Sequence, residues 1–188
     1  MADGKAKSLN DVRGEVEKHI RSIRDFPKKG INFRDIMPLF AQPAVVDDLC
    51  KAIANHIRKD IGQVDAIVAL EARGFLFGPV IAIHLGLPFV PIRKKGKLPG
   101  DCVRMSYAKE YGEDVFEIQK DALSSGWKTV IVDDLLATGG SLKAAVDLVQ
   151  STKATVAEAF VIIELGPLRG REKLGGVPVT SLILCNEA

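Results

Sequence analysis

The sequence predicts an α/β fold in which helices flank a mostly parallel, twisted sheet. Two observations carry this prediction: short apolar runs alternate along the chain with patterns of helical period, and turn residues separate them. The 188 residues, 47% of them hydrophobic and 27% charged, are typical of one soluble domain with a packed core. We therefore expect a single domain over residues 1–188.

The first predicted element is an amphipathic helix over residues 8–24. Ser8 and Asp11 resemble a capping box at its start. Its apolar side chains share one helical face, namely Val12, Val16, Ile20 and Ile23. The pattern predicts a helix that packs this face against the rest of the domain.

Turn residues break the chain twice after this helix. Pro27 and Gly30 precede the segment INFRDI at residues 31–36, which we expect in irregular backbone. Pro38 and Pro43 then precede a second amphipathic pattern over residues 45–58, which predicts another helix.

From residue 66 onward, apolar runs and helical patterns alternate. The pattern predicts strands at 66–70, 89–93, 129–132, 156–164 and 177–184, and helices at 75–85 and 142–149. Residues 94–114 are the exception, because they have no sustained apolar period and carry three glycines and a proline. A connection of this length is either functional or disordered.

Composition argues against several classes of protein. The formal charge of +2, with Lys and Arg spread along the chain, lacks the electrostatic footprint of a nucleic-acid binder. No stretch approaches the roughly 18 apolar residues of a membrane span, and residues 1–19 contain no apolar core of a signal peptide. Three cysteines without a CxxC pair favour a reducing compartment. We expect a cytoplasmic protein that binds neither nucleic acid nor membrane.

The segment VIVDDLLATGGSL, residues 130–142, predicts a phosphate site between a strand and a helix. Gly139 and Gly140 permit backbone angles that let successive N–H groups converge on one anion, and the helix N-terminus adds its positive dipole end. Thr138 and Ser141 can donate hydroxyl hydrogen bonds to the same anion. With Ala137, these residues would bind a phosphate monoester.

Asp133 and Asp134 follow the strand, at the edge where ligands bind in open α/β sheets. Adjacent carboxylates can accept hydrogen bonds from two neighbouring sugar hydroxyls, or help to hold a hydrated magnesium ion. The alternative is a βα turn in which these residues only satisfy backbone groups and cap a helix. The absence of GxxxxGK[ST] and GxGxxG removes the main support for an ATPase or a dinucleotide-binding protein.

This segment resembles the signature of the type I phosphoribosyltransferases, and the neighbouring motifs are most similar to those of the adenine phosphoribosyltransferase family. Six stretches carry the resemblance in the family's order: FPKKGINFRDI (26–36), EARGFLFGP (71–79), IRKKGKLPG (92–100), SYAKEYG (106–112), EIQKDAL (117–123) and VIVDDLLATGG (130–140). It implies the type I phosphoribosyltransferase fold, with a small base-recognition hood within residues 1–43 and a mobile active-site loop over 94–114.

The resemblance implies a pyrophosphate loop at Glu71, Ala72, Arg73 and Gly74, often containing an unusual cis peptide. Arg73 offers a planar fork of donors, and Gly74 permits a close backbone approach. Arg93, Lys94 and Lys97 would supply further positive charge to the leaving group. Without the resemblance, Arg73 is equally a surface residue near a helix start, and the three cations are a solvated patch. In some relatives the residue that matches Arg93 reaches the active site of the neighbouring subunit, which implies a homodimer.

In the implied mobile loop, Glu110 would be the acid/base group beside the purine imidazole ring, and Tyr111 would help to cover the site. Excluding water protects an oxocarbenium-like sugar from hydrolysis. Lys109 departs from the apolar residue expected before that glutamate. Without the resemblance, Glu110 is a solvated carboxylate.

The same resemblance assigns base recognition to Ile31, Asn32, Phe33 and Arg34. Phe33 would stack on the purine, Arg34 would contact its edge, and main-chain groups near Ile31 and Asn32 would meet the exocyclic amine. A backbone carbonyl there selects a 6-amino group over a 6-oxo group. Without the resemblance, Phe33 is a core aromatic.

The implied substrates are adenine and 5-phosphoribosyl 1-pyrophosphate (PRPP), with AMP and diphosphate as products. The implied cofactor is Mg²⁺, held mainly by substrate and water with assistance from Asp133 and Asp134. Two alternatives stay open: an enzyme of the same superfamily that acts on a 6-oxopurine, and a regulator that senses PRPP and binds nucleic acid.

Overall fold

The computed structural model describes residues 7–108 and 113–187, and the element bounds below refer to them. The helices are α1 (Leu9–Lys18), α2 (Pro43–His56), α3 (Gly78–Leu85) and α4 (Gly140–Ser151). The strands are β1 (Arg21–Arg24), β2 (Asn32–Asp35), β3 (Ala66–Leu70), β4 (Phe89–Lys94), β5 (Cys102–Ala108), β6 (Glu113–Gln119), β7 (Lys128–Leu136), β8 (Thr155–Leu165) and β9 (Val179–Cys185). Short turns of other helix types connect several of them, including Met37–Ala41, Arg73–Leu76 and Gly170–Leu174.

Seven strands form one sheet in the order β5-β6-β4-β3-β7-β8-β9. The pairs β4–β3, β3–β7, β7–β8 and β8–β9 are parallel, whereas β6 pairs antiparallel with both β4 and β5. The predicted α/β class and mostly parallel sheet are therefore confirmed. Because the central strands are parallel, the carboxyl ends of β3 and β7 meet at the same edge of the sheet.

Helices cover the sheet on both faces. Every residue of β3 is buried, and its side chains alternate between two core clusters. Ile67 and Ala69 pack in the cluster that contains α1, α2 and α3 residues, and Ala66, Val68 and Leu70 pack in the one that contains α4 residues. Burial on both faces accounts for the continuous apolar run that predicted this strand.

The predicted N-terminal capping box is confirmed, but the predicted helix ends early. The Asp11 N–H donates to Ser8 Oγ at 3.3 Å, and the Ser8 N–H donates to Asp11 Oδ2 at 2.7 Å. After Lys18 the chain turns into β1, which pairs antiparallel with β2 and brings Ile23 opposite Phe33. Two predictions were therefore wrong: the helix does not reach residue 24, and INFRDI contributes a strand rather than irregular backbone.

The prediction for residues 94–114 was wrong in part, because two long strands begin or lie within this segment. β5 and β6 pair antiparallel from Cys102 opposite Gln119 to Ala108 opposite Glu113. The preceding turn is organised by the buried Glu117 carboxylate, whose Oε1 accepts the N–H groups of Gly96, Lys97 and Leu98 at 2.8–3.1 Å. Burial would raise the pKa of Glu117, but these hydrogen bonds and Arg104 lower it below its usual value. In β5, Val103, Met105 and Tyr107 alternate with polar residues and pack against the core, a short pattern that the prediction did not use.

Among the described residues, we find no helix that is both long enough and apolar enough to span a bilayer.

Candidate active site

A cavity of about 310 Å³ opens at the carboxyl ends of β3 and β7. Its lining combines the ends of these strands, the loops that follow them, the first turn of α4 and the β4–β6 strands beside them. The lining residues are Leu70, Glu71, Ala72, Arg73, Lys94, Tyr107, Phe116, Asp133, Asp134, Leu135, Leu136, Ala137, Thr138, Gly139, Ser141 and Leu142. Most of the residues predicted to bind phosphate, ribose and diphosphate are therefore brought together.

The predicted phosphate loop lies between β7 and α4. Ala137, Thr138, Gly139 and Ser141 line the cavity, and Gly140 begins the helix. Gly139 precedes the helix with φ +81°, an angle that favours glycine, and has no side chain with which to cap it. The first N–H groups of α4 are thus left to bind an anion in the cavity, with the positive end of the helix dipole behind them.

The two neighbouring carboxylates differ in their surroundings. Asp134 is 6% exposed and accepts a hydrogen bond from Arg73 Nε within an ion pair. Asp133 lies beside it on the cavity wall, and burial together with the Asp134 carboxylate raises the pKa of Asp133 well above its usual value. Because Arg73 already engages Asp134, Asp133 is the better placed of the two to contact a ligand in the cavity.

The predicted pyrophosphate loop follows β3 and contains a cis peptide between Glu71 and Ala72, as the resemblance implied. Gly74 lies against the end of β7: a Cβ added there would lie 2.8 Å from the carbonyl oxygen of Val132 and 3.1 Å from Asp133 Oδ1. The absence of a side chain lets the loop pack against the end of β7. Arg73 and Asp133 therefore face the same cavity.

The three predicted cations have different positions. Lys94 lines the cavity, and its Nζ lies 3.4 Å from Asp114 Oδ2. Arg93 instead donates to Glu71 Oε2 at 2.7 Å and to the carbonyl oxygen of Lys97 at 3.1 Å. Within the described part of the chain, neither Arg93 nor Lys97 belongs to the lining.

Tyr107, which belongs to the SYAKEYG motif of the implied loop, also lines the cavity. Its ring packs on Phe116 with centroids 4.7 Å apart, and its hydroxyl donates to Asp114 Oδ2 at 3.4 Å. Burial and Asp114 raise the pKa of Tyr107, so the phenol is neutral. Its position follows from the antiparallel pairing of β5 with β6, which the sequence did not predict.

Residues Ile31, Asn32, Phe33 and Arg34 lie on or beside β2 and are not among the lining residues. Phe33 packs edge-on against Phe26 with centroids 5.1 Å apart. Arg34 donates to Ser22 Oγ and lines a separate cavity of about 150 Å³ beside β8 and β9. The buried Asn32 Oδ1 and Arg34 Nε have no hydrogen-bond partner in the described structure.

Glu110 and Tyr111, predicted for acid/base chemistry and loop closure, lie outside the described residues.

The chain matches known proteins over most of its length. A profile of the phosphoribosyl transferase domain matches residues 38–176. An adenine phosphoribosyltransferase of Caenorhabditis elegans is 59% identical over 180 residues, which cover 96% of this chain and 97% of that protein. One from Cricetulus griseus is 52% identical over 169 residues, 89% of this chain and 94% of the relative.

Solved structures are similar as well. The adenine phosphoribosyltransferase of Saccharomyces cerevisiae, complexed with adenine and an imino-altritol bisphosphate, superposes with a TM-score of 0.89 and 44% identity. That match covers 92% of this chain and 99% of the yeast chain. The Giardia lamblia enzyme complexed with 9-deazaadenine gives a TM-score of 0.85 and 34% identity, over 96% of this chain and 99% of the other.

Proposed function

Because the chain belongs to the adenine phosphoribosyltransferase family, we propose that it transfers the phosphoribosyl group of PRPP to adenine, giving AMP and diphosphate. One observation carries the proposal: a single cavity joins an anion-binding loop, a pair of carboxylates and an arginine-bearing loop. This order matches the phosphate, ribose and diphosphate of PRPP.

The 5-phosphate binds at residues 137–141, where α4 begins. The backbone N–H groups and the hydroxyls of Thr138 and Ser141 donate to its oxygens. The ribose then lies along the end of β7, and Asp133 accepts hydrogen bonds from its hydroxyls. These contacts fix C1 of the sugar near Arg73.

Bond exchange takes place at C1 of the ribose. Adenine N9 donates an electron pair to C1 as the bond from C1 to the diphosphate oxygen breaks and its electrons pass to that oxygen. Arg73 and Lys94, both on the cavity wall, neutralise the growing charge on the leaving group. Part of the Arg73 charge is balanced by Asp134, which also holds the guanidinium in place.

Glu110 accepts the proton that the imidazole ring of adenine loses as the N9 bond forms. This assignment is supported by the sequence motif and by the position of Tyr107, which precedes it by three residues and lines the cavity. A carboxylate within hydrogen-bond reach of the ring nitrogen can serve as the general base.

Mg²⁺ is the proposed cofactor, and the residues present fit it. In the described residues, no group of three or more acidic, cysteine or histidine side chains forms a protein-only metal site. Two adjacent carboxylates on the cavity wall instead suit an ion held mainly by substrate oxygens and water, with Asp133 and Asp134 assisting. When bound, Mg²⁺ supplies charge neutralisation to the diphosphate.

Adenine binds against β2 in this proposal, with Phe33 as the stacking partner. Support comes from the similarity of the fold to an adenine phosphoribosyltransferase solved with adenine. Main-chain groups near Ile31 and Asn32 meet the exocyclic amine, and Arg34 holds the segment through Ser22. The preference for a 6-amino group rests on the relatives, which are adenine enzymes.

A homodimer is proposed as the working assembly. Helix α3 is apolar around much of its circumference, yet Ile83 is 76% exposed and Leu76, just before the helix, is 37% exposed. Such apolar surface suits contact with a second copy of the chain. The helix follows the diphosphate loop directly, so the second subunit would lie close to the site.

The proposed ribose contact is tested by replacing Asp133 with Ala and measuring AMP formation at varied PRPP. Loss of hydrogen bonds to a carboxylate, about 1.5–3 kcal/mol, should raise KM for PRPP roughly 10- to 100-fold. Asp147→Ala is the matched control, because Asp147 pairs with Lys143 on the outside of α4. Equal KM values in both variants would remove Asp133 from the site.

A further inference from the structure

The phosphate loop is in backbone contact with a distant turn of the chain. A Cβ added at Gly170 would lie 2.7 Å from Leu136 Cδ1 and 3.0 Å from Gly139 N, and would overlap the carbonyl oxygen of Ala137. A Cβ added at Gly139 would lie 3.0 Å from Gly170 C and 3.1 Å from Gly170 Cα. Apart from Leu136 Cδ1, these atoms belong to the backbone, so a change of side-chain rotamer cannot make room for the Cβ. Gly170 therefore supports the loop from outside the cavity.

Gly170 is held there by the residue that follows it. Arg171 donates through Nε and Nη2 to the two oxygens of Glu164 at 2.6 Å each. Its Nη1 also donates to the carbonyl oxygen of Val179 at 2.7 Å. Glu164 is buried near the end of β8, and Val179 begins β9. The arginine thus joins the turn to two neighbouring strands with a bidentate geometry that fixes its orientation.

An apolar contact anchors the other end of the turn. Leu174 is buried in the same cluster as Leu136 and Leu142. Leu136 is the last residue of β7 and Leu142 lies in the first turn of α4, on the two sides of the phosphate loop. The turn accordingly packs against the elements on both sides of the loop as well as against the loop itself.

We infer that residues 170–174, which we call the brace segment, set the conformation in which the phosphate loop binds the 5-phosphate of PRPP, with Gly170 and Arg171 as positioning residues. The inference rests on the proposed function. The loop needs Gly139 at φ +81°, and a glycine there has many other conformations available. Contact with Gly170 limits them before the ligand arrives, which lowers the entropic cost of binding.

The effect should fall on binding rather than on the chemical step. The 5-phosphate is unchanged in the reaction, so its contacts are equally strong in the ground state and the transition state. Loosening the loop then raises KM for PRPP and leaves kcat unaltered. A role in stability alone would lower the unfolding temperature without moving KM.

The test compares Arg171→Gln with Arg169→Gln, using PRPP kinetics and calorimetric binding of ribose 5-phosphate. Arg171 is half exposed, and the control removes an arginine two residues away that pairs only with Glu172 at the surface among the contacts described. Arg171→Gln should weaken ribose 5-phosphate binding and raise KM for PRPP roughly 10- to 100-fold, as expected when a binding group is displaced by about 1 Å. The KM for adenine and kcat should not change, and Arg171→Lys should restore part of the affinity.

Gly170→Ala provides a second test with Gly14→Ala as its control, since a Cβ at Gly14 meets nothing within 4 Å. Unchanged ribose 5-phosphate affinity in folded Arg171→Gln or Gly170→Ala protein would overturn the brace segment. If the native protein bound ribose 5-phosphate but formed no nucleotide, the proposed function would fail while the brace inference could still pass. If it bound no ribose 5-phosphate at all, both would fall.

Discussion

At the residue scale, the central feature is the division of roles between Asp133 and Asp134. The sequence gives no reason to distinguish them. In the structure, Asp134 forms an ion pair with Arg73, whereas Asp133 lies on the cavity wall and has a raised pKa. The pairing joins residues 61 positions apart, so no local pattern could reveal it. Arg73 therefore connects the diphosphate loop to the ribose strand.

Replacing Arg73 with Gln should impair both catalysis and binding. The leaving diphosphate loses a cation, and the buried Asp134 carboxylate loses its partner. Loss of one preorganised donor to developing charge typically costs about 10²- to 10³-fold in kcat. Steady-state kinetics at saturating PRPP measure this effect, with Arg169→Gln as the control. A normal kcat in Arg73→Gln would mean that the diphosphate leaves without its help.

Replacing Glu110 with Gln should lower kcat and leave KM for PRPP nearly unchanged. The amide cannot accept the imidazole proton, and loss of a general base commonly costs about 10²- to 10⁴-fold. Single-turnover measurement of AMP formation isolates the chemical step. Turnover equal to that of the native protein would assign the proton to water or to another residue.

At the element scale, the sequence located the parts whose determinants are local. The continuous apolar run of β3 and the glycine loop before α4 were predicted because burial and backbone freedom act within a few residues. The β1–β2 hairpin was missed because every residue of β1 is exposed and gives no apolar alternation. The β5–β6 pair was missed because the short alternation of Val103, Met105 and Tyr107 stands among glycines, a proline and many charged residues. Gly170 was missed because its role comes from contact with a loop about 30 residues earlier.

A histidine joins α2 to β8 on the side of the sheet away from the cavity. His56 Nε2 lies 2.9 Å from Glu158 Oε1, and Nδ1 lies 2.7 Å from Asp60 Oδ2. The Glu158 hydrogen bond, followed by its charge and by Asp60, raises the pKa of His56 against the opposing effect of burial. Thr180 donates to the other oxygen of Glu158 at 2.8 Å. The imidazolium therefore links helix and sheet.

The contribution of this link to stability should depend on pH. Because the folded pKa of His56 is raised, the contribution is complete below the unfolded value of about 6.5 and is lost as pH rises through the folded value. His56→Gln should cost about 1–3 kcal/mol in the free energy of unfolding at pH 6 and less at pH 9. Urea unfolding at the two pH values measures the difference. An equal cost at both would show that the charge contributes nothing.

At the scale of the whole molecule, the parallel sheet brings the carboxyl ends of β3 and β7 to one edge, and the cavity forms there. The resemblance to adenine phosphoribosyltransferases covered most of the chain, and the matches to known proteins bear out that family. The proposed dimer depends on which side chains are exposed in the folded chain. The sequence pattern did not show that Ile83 would be exposed.

Replacing Ile83 with Glu should convert the proposed dimer into a monomer. A charge in an apolar interface between subunits carries a large desolvation cost. Sedimentation equilibrium should give twice the chain mass of 20.3 kDa for the native protein and one chain mass for the variant. Leu168→Glu is a control at another exposed apolar residue, on the turn after β8. A native protein that sediments as a single chain would refute the assembly.

The most direct measurement of the central claim supplies purified protein with PRPP, magnesium and an equimolar mixture of adenine, hypoxanthine, guanine and xanthine, and identifies the nucleotides formed. The account predicts AMP alone. A 6-oxopurine nucleotide would contradict the assignment of base recognition to Ile31–Arg34 while keeping the phosphoribosyl site. The absence of any nucleotide would contradict the enzymatic function itself and favour a PRPP-sensing regulator.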